Sequence, residues 1–518
     1  MRRALSLLLP LLAAAAVWWG MTSTSRMGAH AAPRGGAVDG IVVLCVDTFR
    51  ADALDGADGA PPPMPFLGEL AAQGTRFTDA LAPTSWTGPS IASMLTGLVP
   101  LRHGVTDPAG GARLPPNVAT VGALLRAAGW HTAAYTGGGW AGAGSGLSGG
   151  FDRFDEDFDR REPEETLTKW RGERPAGRPF FLFLHTYAAH DPYGTKAFVP
   201  GAACSGEPYE RGRALAATMA QAKAEELPAL RRQFLVSRLT EPCSRMGVES
   251  ILGRRGAWDL WQSCLPWMEG GWRETAEDRA VVDQLHAAYR AQLPTVDRFL
   301  ARVVAAVERV VPARTALLVV ADHGEAFGEH GVLYHGLHIT QELVQVPLIL
   351  RAPGVPAGAT VDAACGVVDV APTLLELAGV PAPEGLDGRS LLALAAGRDG
   401  GRAVESFLQP IDEGAGLEAG RLRRVAVRDD DVAWVAAYDP AARAWVDEVW
   451  YDRRRDPLET TPLRAAPPGA TAAGFATAWA AARARVEYRY APEVGDVPAR
   501  EGGRAVRAGV ASRGAVLR

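Results

Sequence analysis

Three stretches, far apart in the chain, each carry a side chain able to hold a cation or move a proton at the end of an apolar run or the start of a helical one. Asp47 follows "GIVVLCV", Thr87 opens "TGPSIASMLTG", and Asp322-His323 follows "ALLVVA". Two carboxylates, an imidazole and a hydroxyl oxygen make a reasonable shell for one divalent ion, Ca, Mg, Mn or Zn, because hard and borderline cations accept O and N donors. An ion there would lower the pKa of the Thr87 hydroxyl and make it a competent nucleophile; without it the hydroxyl stays inert. Taken alone, Thr87 reads otherwise, since Ser and Thr at helix starts are far more often caps than nucleophiles. Pro89 suits the first turn and Gly97 a stop, so the free N–H groups of that turn lie where an anion or a developing oxyanion is favoured.

These residues need a scaffold that brings distant segments together. The apolar run before Asp47 reads as a buried parallel strand with the carboxylate at its C-terminal end, which is where open α/β sheets bind ligands. Helices are expected near 64–72, from Thr87, near 120–128, over 279–310 and in "VVDVAPTLLELAG". Strands are expected at 131–135, in "FFLFLH", in "ALLVVADHG" and in "VPLILRA". Strands alternating with helices predict an α/β fold, a mostly parallel mixed sheet sandwiched by helices. The rhythm breaks over 201–276, an insertion that holds Trp258, Trp261, Trp267 and Trp272 and reads either as a cap over the site or as an excursion with its own small core. From 403 to 492 short β-type runs joined by Asp, Pro and Ala turns predict a small antiparallel C-terminal subdomain, and 493–518 is a Gly- and Arg-rich tail expected to be mobile.

The 518 residues suffice for a large core, and 54 Lys plus Arg against 59 Asp plus Glu give a net charge of −5 with no dense basic run, which argues against nucleic-acid binding. Residues 1–32 read as a signal peptide or an uncleaved anchor: Arg2 and Arg3 precede an apolar stretch from Ala4 to Trp19. The expected location is therefore periplasmic, secreted, or tethered to a membrane by that segment. Five cysteines form no CxxC pair; Cys45 reads as a buried hydrophobe, while Cys204, Cys243 and Cys264 allow one disulfide whose pairing spacing does not settle.

Several longer motifs, in a fixed order, carry a family resemblance. They are "VVLCVDTFRAD", "SWTGPSIASMLTGLVPLRHGV", "FFLFLHTYAAHDPY", "VVADHGEAFGEHG" with "YHGLHITQELVQVPLILRAPG", "VVDVAPTLLELAGVPAPEGLDGRSLL" and "VWYDRRRDPLETTPL". From about Gly40 to Leu463 the chain resembles the sulfatase-like branch of the alkaline phosphatase superfamily, which makes 40–402 its catalytic α/β domain. The resemblance implies that Asp47, Asp322 and His323 bind the metal and that Thr87 stands at the nucleophile position. It implies that His185 and His190 contact the transferred group or the leaving oxygen, and that His335 in "YHG" is a further site histidine; His103 and His338 read as structural.

The chain departs from formylglycine sulfatases where their nucleophile motif has Cys or Ser, any residue, Pro, any residue and Arg. Here the register reads Thr87, Gly88, Pro89, Ser90 and Ile91, so an aldehyde hydrate is not expected. The position after Asp47 is Thr48 instead of an acid, and the Asp-Pro of the His-rich loop is Ala188-Ala189. The implied activity is an exported, metal-dependent hydrolysis of sulfate or, better suited to an unmodified Thr, phosphate or phosphonate esters, with a small-molecule, glycan or lipid ester as substrate. The alternatives are a phosphoethanolamine- or phosphoglycerol-type transferase and a non-catalytic binding protein on the same scaffold.

Overall fold

The computed structural model describes residues 37–56, 61–106, 113–193, 207–223, 225–241, 243–268, 271–273, 275–409 and 422–490. The export-like segment, Cys204 and the 493–518 tail lie outside the described residues.

Strand β1 (Gly40–Val46) is buried along its whole length, because "GIVVLCV" has no polar face and must be covered on both sides. After it come α1 (Pro65–Ala72), β2 (Thr75–Leu81), α2 (Thr87–Thr96), α3 (Val121–Ala127), β3 (His131–Tyr135), β4 (Arg153–Asp155), α4 (Pro163–Glu173) and β5 (Phe180–Thr186). The insertion supplies α5 (Glu207–Met219), α6 (Leu227–Thr240) and α7 (Ser244–Gln262), and leads into α8 (Ala276–Val310). Thr275 caps α8 by accepting from the Asp278 amide, and the helix runs on through Pro294. The main sheet is completed by β6 (Thr315–Ala321), β7 (Gln345–Arg351) and β8 (Ala359–Val361), followed by α9 (Val370–Ala378).

The sheet order is β8-β2-β7-β6-β1-β5-β3-β4, with Cys365–Gly366 also paired to β2. Strand β1 is parallel to both neighbours, whereas β7 runs antiparallel to β2 and to β6, so the sheet is mixed. Register decides where the chemistry lies. Val46 pairs with Ala321 on one side and with Thr186 on the other, so Asp47 and Asp322 leave adjacent strand ends together. Cys45 pairs with His185, which brings that imidazole to the same edge. Among the elements the sequence reading did not anticipate, β2 mixes polar and apolar residues in "TRFTDAL", and α4 is mostly polar.

The C-terminal part is a four-stranded antiparallel sheet, β9 (Val404–Leu408), β10 (Arg423–Arg428), β11 (Val432–Asp439) and β12 (Ala444–Asp452), packed on α10 (Ala473–Arg489) around Trp434, Phe475 and Val486. Two buried ion pairs fasten this region. Arg453 holds Asp79 of β2 through two bonds of 2.7 and 2.8 Å, and Arg428 holds Glu459 through two of 2.8 Å. Arg428 also donates to the Ile339 carbonyl of the main α/β unit. Removing one partner of a buried pair leaves an uncompensated charge, which typically costs about 3–5 kcal/mol. Glu459→Ala is therefore expected to lose stability on that scale, read as a lowered urea midpoint, while Leu458→Ala, at an exposed neighbour, stays near wild type.

Candidate active site

Helix α2 begins at Thr87, and its N-cap is Trp86, whose side chain caps nothing. The Thr87 hydroxyl is not spent on capping either. It donates to Asp47 Oδ2 at 3.0 Å, across the gap between α2 and the end of β1. The first turn of α2 is pinned in place by Ser90, whose hydroxyl donates to the Asp322 carbonyl at 2.6 Å. Ile91, where formylglycine sulfatases carry Arg, is fully buried in the core.

Around Thr87 lie Asp47, His185, Asp322 and His323, every one of them inaccessible to solvent. His185 Nε2 lies 3.2 Å from Asp47 Oδ2, and ligand atoms of Asp47, His185 and Asp322 fall within 4.8 Å of one another. His323 Nε2 stands 3.8 Å from Asp47 Oδ1 and 3.7 Å from Asp322 Oδ2. Its other nitrogen is engaged by the Gly324 carbonyl at 2.9 Å, so Nδ1 carries the proton and Nε2 presents a lone pair. Asp47 Oδ1, Asp322 Oδ2 and His323 Nε2 are buried with no hydrogen-bond partner among the described residues. Unsatisfied acceptors gathered this closely are costly unless a cation completes them.

Electrostatics agree with that donor set. Burial, and then the charge of Asp47, push the Asp322 carboxyl up to about 7. Burial also works against ionising Asp47, but the His185 hydrogen bond and the charges of His190 and His323 outweigh it and hold Asp47 well below the usual carboxylate range. Two carboxylates at adjacent strand ends resist being charged together, and a divalent ion relieves that conflict. The donor atoms present therefore fit a single cation beside the Thr87 oxygen, with Asp47 and Asp322 as its carboxylates and the imidazoles of His185 and His323 next to them. His185, expected among the histidines that meet substrate, sits within the acid cluster itself.

The remaining two histidines form carboxylate-backed pairs beside the cluster. His190 Nδ1 lies 2.7 Å from Asp191 Oδ1, and His335 Nδ1 lies 3.1 and 3.0 Å from the two oxygens of buried Glu325. The rings file past one another, His190 to His335 at 5.0 Å and His335 to His323 at 4.8 Å between centroids. Burial opposes a charge on His190, yet Asp191, through its charge and its hydrogen bond, raises the imidazole to about 10. His190 thus keeps its proton at neutral pH. Tyr187 packs edge-on against both His185 and His190, and its hydroxyl donates to the Gly138 carbonyl, locking the glycine-rich loop after β3 to the histidines.

The site also contains what sequence reasoning missed. Asp191 and Glu325 stand inside the quoted motifs but gave no signal of their partners, and Tyr193, which donates to Glu325 at 2.6 Å, gave none. Thr48 adopts φ +52°, an uncommon conformation for a β-branched residue, with its carbonyl held by the Tyr289 hydroxyl of α8 at 3.1 Å. His103 is buried against Ser93 at 2.9 Å, and His338 is half-buried near Arg424 and His330. In the insertion, Cys243 is disulfide-bonded, whereas Cys264 is free and buried.

Comparison with known proteins follows the same lines. The sulfatase family profile matches residues 40–380, a span that contains the whole cluster and most of the chain. The chain belongs to the sulfatase family. A profile for the C-terminal part of N-sulphoglucosamine sulphohydrolase matches residues 328–467 of this sulfatase-family chain. Human arylsulfatase K is 32% identical over 115 residues, 22% of this chain and 21% of that protein, and zebrafish (Danio rerio) arylsulfatase K is 35% identical over 114 residues, 22% of each. The matched stretch thus spans about a fifth of those relatives. Among solved structures, a phosphonate monoester hydrolase of Agrobacterium radiobacter shares the fold at a TM-score of 0.57 and 20% identity, covering 87% of this chain and 96% of that one. A protein solved with its substrate D-glucosamine-2-N,6-O-disulfate does so at 0.56 and 20%, covering 87% and 97%.

Proposed function

We propose that this sulfatase-family protein is a metal-dependent hydrolase in which Thr87 attacks the phosphorus of a phosphate or phosphonate ester. One observation carries the reading: a buried threonine hydroxyl, free of any capping duty, shares Asp47 with a cluster of orphaned ligand atoms. A bound divalent cation supplies charge neutralisation for the transferred group and a lowered pKa for the hydroxyl beside it. The chain's own residues do the rest. Asp47 Oδ2 orients the Thr87 hydroxyl and is the nearest acceptor for its proton. The positive end of α2 favours charge gathering on the group under attack. With Nδ1 committed to Asp191, His190 has Nε2 free to protonate the leaving oxygen, and His335 is poised the same way by Glu325.

The preference for phosphorus follows from leaving-group chemistry. Water releases a phospho-threonine by the same in-line displacement that made it. A sulfo-threonine has no aldehyde hydrate to eliminate through, because the nucleophile position is an unmodified Thr. Export is part of the proposal, supported by the N-terminal run and by the Cys243 disulfide, since such bonds persist in oxidising compartments. No described helix is long and apolar enough to cross a membrane.

The test is a panel of aryl sulfate, phosphate monoester, phosphate diester and phosphonate ester, each assayed with Mg, Mn, Ca and Zn. The expected result is a kcat/KM for a phosphorus ester at least about tenfold above that for aryl sulfate, roughly 1.4 kcal/mol in transition-state binding. A sulfate ester as best substrate overturns the substrate assignment, and no turnover of any ester overturns the enzyme.

A further inference from the structure

Helix α6 of the insertion ends against the loop that carries His190. The Tyr193 amide donates to the Leu239 carbonyl at 2.5 Å, which fixes the end of α6 beside Asp191. One residue earlier, the Arg238 guanidinium donates from Nη1 to Asp191 Oδ2 at 2.8 Å. The opposite oxygen, Asp191 Oδ1, receives His190 Nδ1 at 2.7 Å and the Tyr334 hydroxyl at 3.1 Å. The carboxylate is therefore gripped on both sides, and all three partners are largely shielded from water. The guanidinium itself lies over the ring of Trp261 on α7, its Cζ 3.9 Å from the centroid. Trp261 meets Tyr334 edge-on at 5.1 Å, and Tyr334 stacks on His335 at 4.0 Å. One pair of insertion residues thus braces both histidines that face the reacting group.

We propose that Arg238 is a positioning residue for leaving-group protonation: through Asp191 it fixes the His190 ring with Nδ1 occupied and Nε2 presented, and Trp261 fixes Arg238. The inference deepens the hydrolase reading and rests on it for its kinetic part. It makes the insertion a working part of the site. The physical reason is that a carboxylate held on Oδ1 alone, by His190 and Tyr334, can still swing its second oxygen, whereas a guanidinium on Oδ2 removes that freedom. Arg238 touches no reacting atom, so its loss acts through Asp191 on His190 and, by way of Trp261 and Tyr334, on His335. The charged and titratable groups facing His190 are Asp191, Arg238 behind it, Asp47 and the His335 ring, with Tyr187 and Tyr334 as the nearby phenols.

The test compares wild type with Arg238→Met, which keeps the stem against Trp261, and with Arg238→Lys, using full-length protein and a pair of substrates with good (4-nitrophenyl) and poor (phenyl) leaving groups. Arg238→Met is expected to lose roughly 10- to 100-fold in kcat on the phenyl ester and under about threefold on the 4-nitrophenyl ester, with KM little changed, because only a poor leaving group needs its proton. Added guanidinium ion and Arg238→Lys are each expected to restore part of the loss. The imidazole 15N spectrum of His190 at neutral pH is expected to change from a single Nδ1-hydrogen-bonded form to a mobile one in Arg238→Met. Equal losses on both substrates, or wild-type kinetics, overturn the proposal. So does an unchanged His190 spectrum. If wild type hydrolyses no ester, the hydrolase reading has failed, and the spectrum still decides the brace.

Discussion

Thr87→Ala is expected to lower kcat by at least about 10³-fold on the best ester while leaving the protein folded, the scale seen when a nucleophile is removed from a preformed site. The hydroxyl contributes nothing to capping α2, so the helix does not depend on it. Its one hydrogen bond among the described residues goes to Asp47, which keeps His185 as a partner. The unfolding midpoint should therefore move by only a few degrees, whereas turnover collapses. Thr87→Ser, which keeps the oxygen and drops only a methyl group, is expected to retain activity within about tenfold. Steady-state kinetics beside thermal unfolding of the three proteins checks this directly.

The second large effect concerns Asp322. Two buried carboxylates face each other at the ends of β1 and β6, and their mutual repulsion is a cost that the folded chain carries until a cation arrives. Asp322→Asn should consequently be more stable than wild type when both are stripped of metal, by roughly 1–3 kcal/mol, and almost inactive whatever ion is added. Wild type should gain stability with added divalent ion, about 2.7 kcal/mol when the ion is at a hundred times its dissociation constant. The variant should gain little. Unfolding midpoints with chelator and with each of Mg, Mn, Ca and Zn separate the cases. A variant stabilised by the ion as strongly as wild type would place the cation elsewhere.

Much of this site was legible before any fold was known, and the reason is local. An apolar, β-branched run as short as "GIVVLCV" reads as a covered strand, so a carboxylate directly after it emerges at a sheet end, and the same holds for Asp322. What no single segment announces is register. His185 lies one residue before the strand end, and only its pairing with Cys45 shows that it joins the acids in place of facing outward with His190. The antiparallel entry of β7 was hidden for the same reason, since "VPLILRA" is equally apolar in either direction. Strand β2 escaped notice because "TRFTDAL" mixes polar residues into a sheet position, one of which, Asp79, is there to take Arg453. Arg238 left no trace in sequence at all: a lone arginine on an amphipathic helix is ordinarily a solvated face, and its role exists only because α6 ends against the loop at Asp191.

The account stands on a covalent step at one oxygen, so the most direct measurement is peptide mass spectrometry of the protein quenched within a single turnover of a phosphate or phosphonate ester. The prediction is a phosphoryl or phosphonyl group on Thr87 in wild type, a growing fraction of it when the leaving group is good, and none in Thr87→Ala. An active enzyme whose transferred group is found on a histidine, or which turns over with Thr87 never modified at any time point, would contradict it.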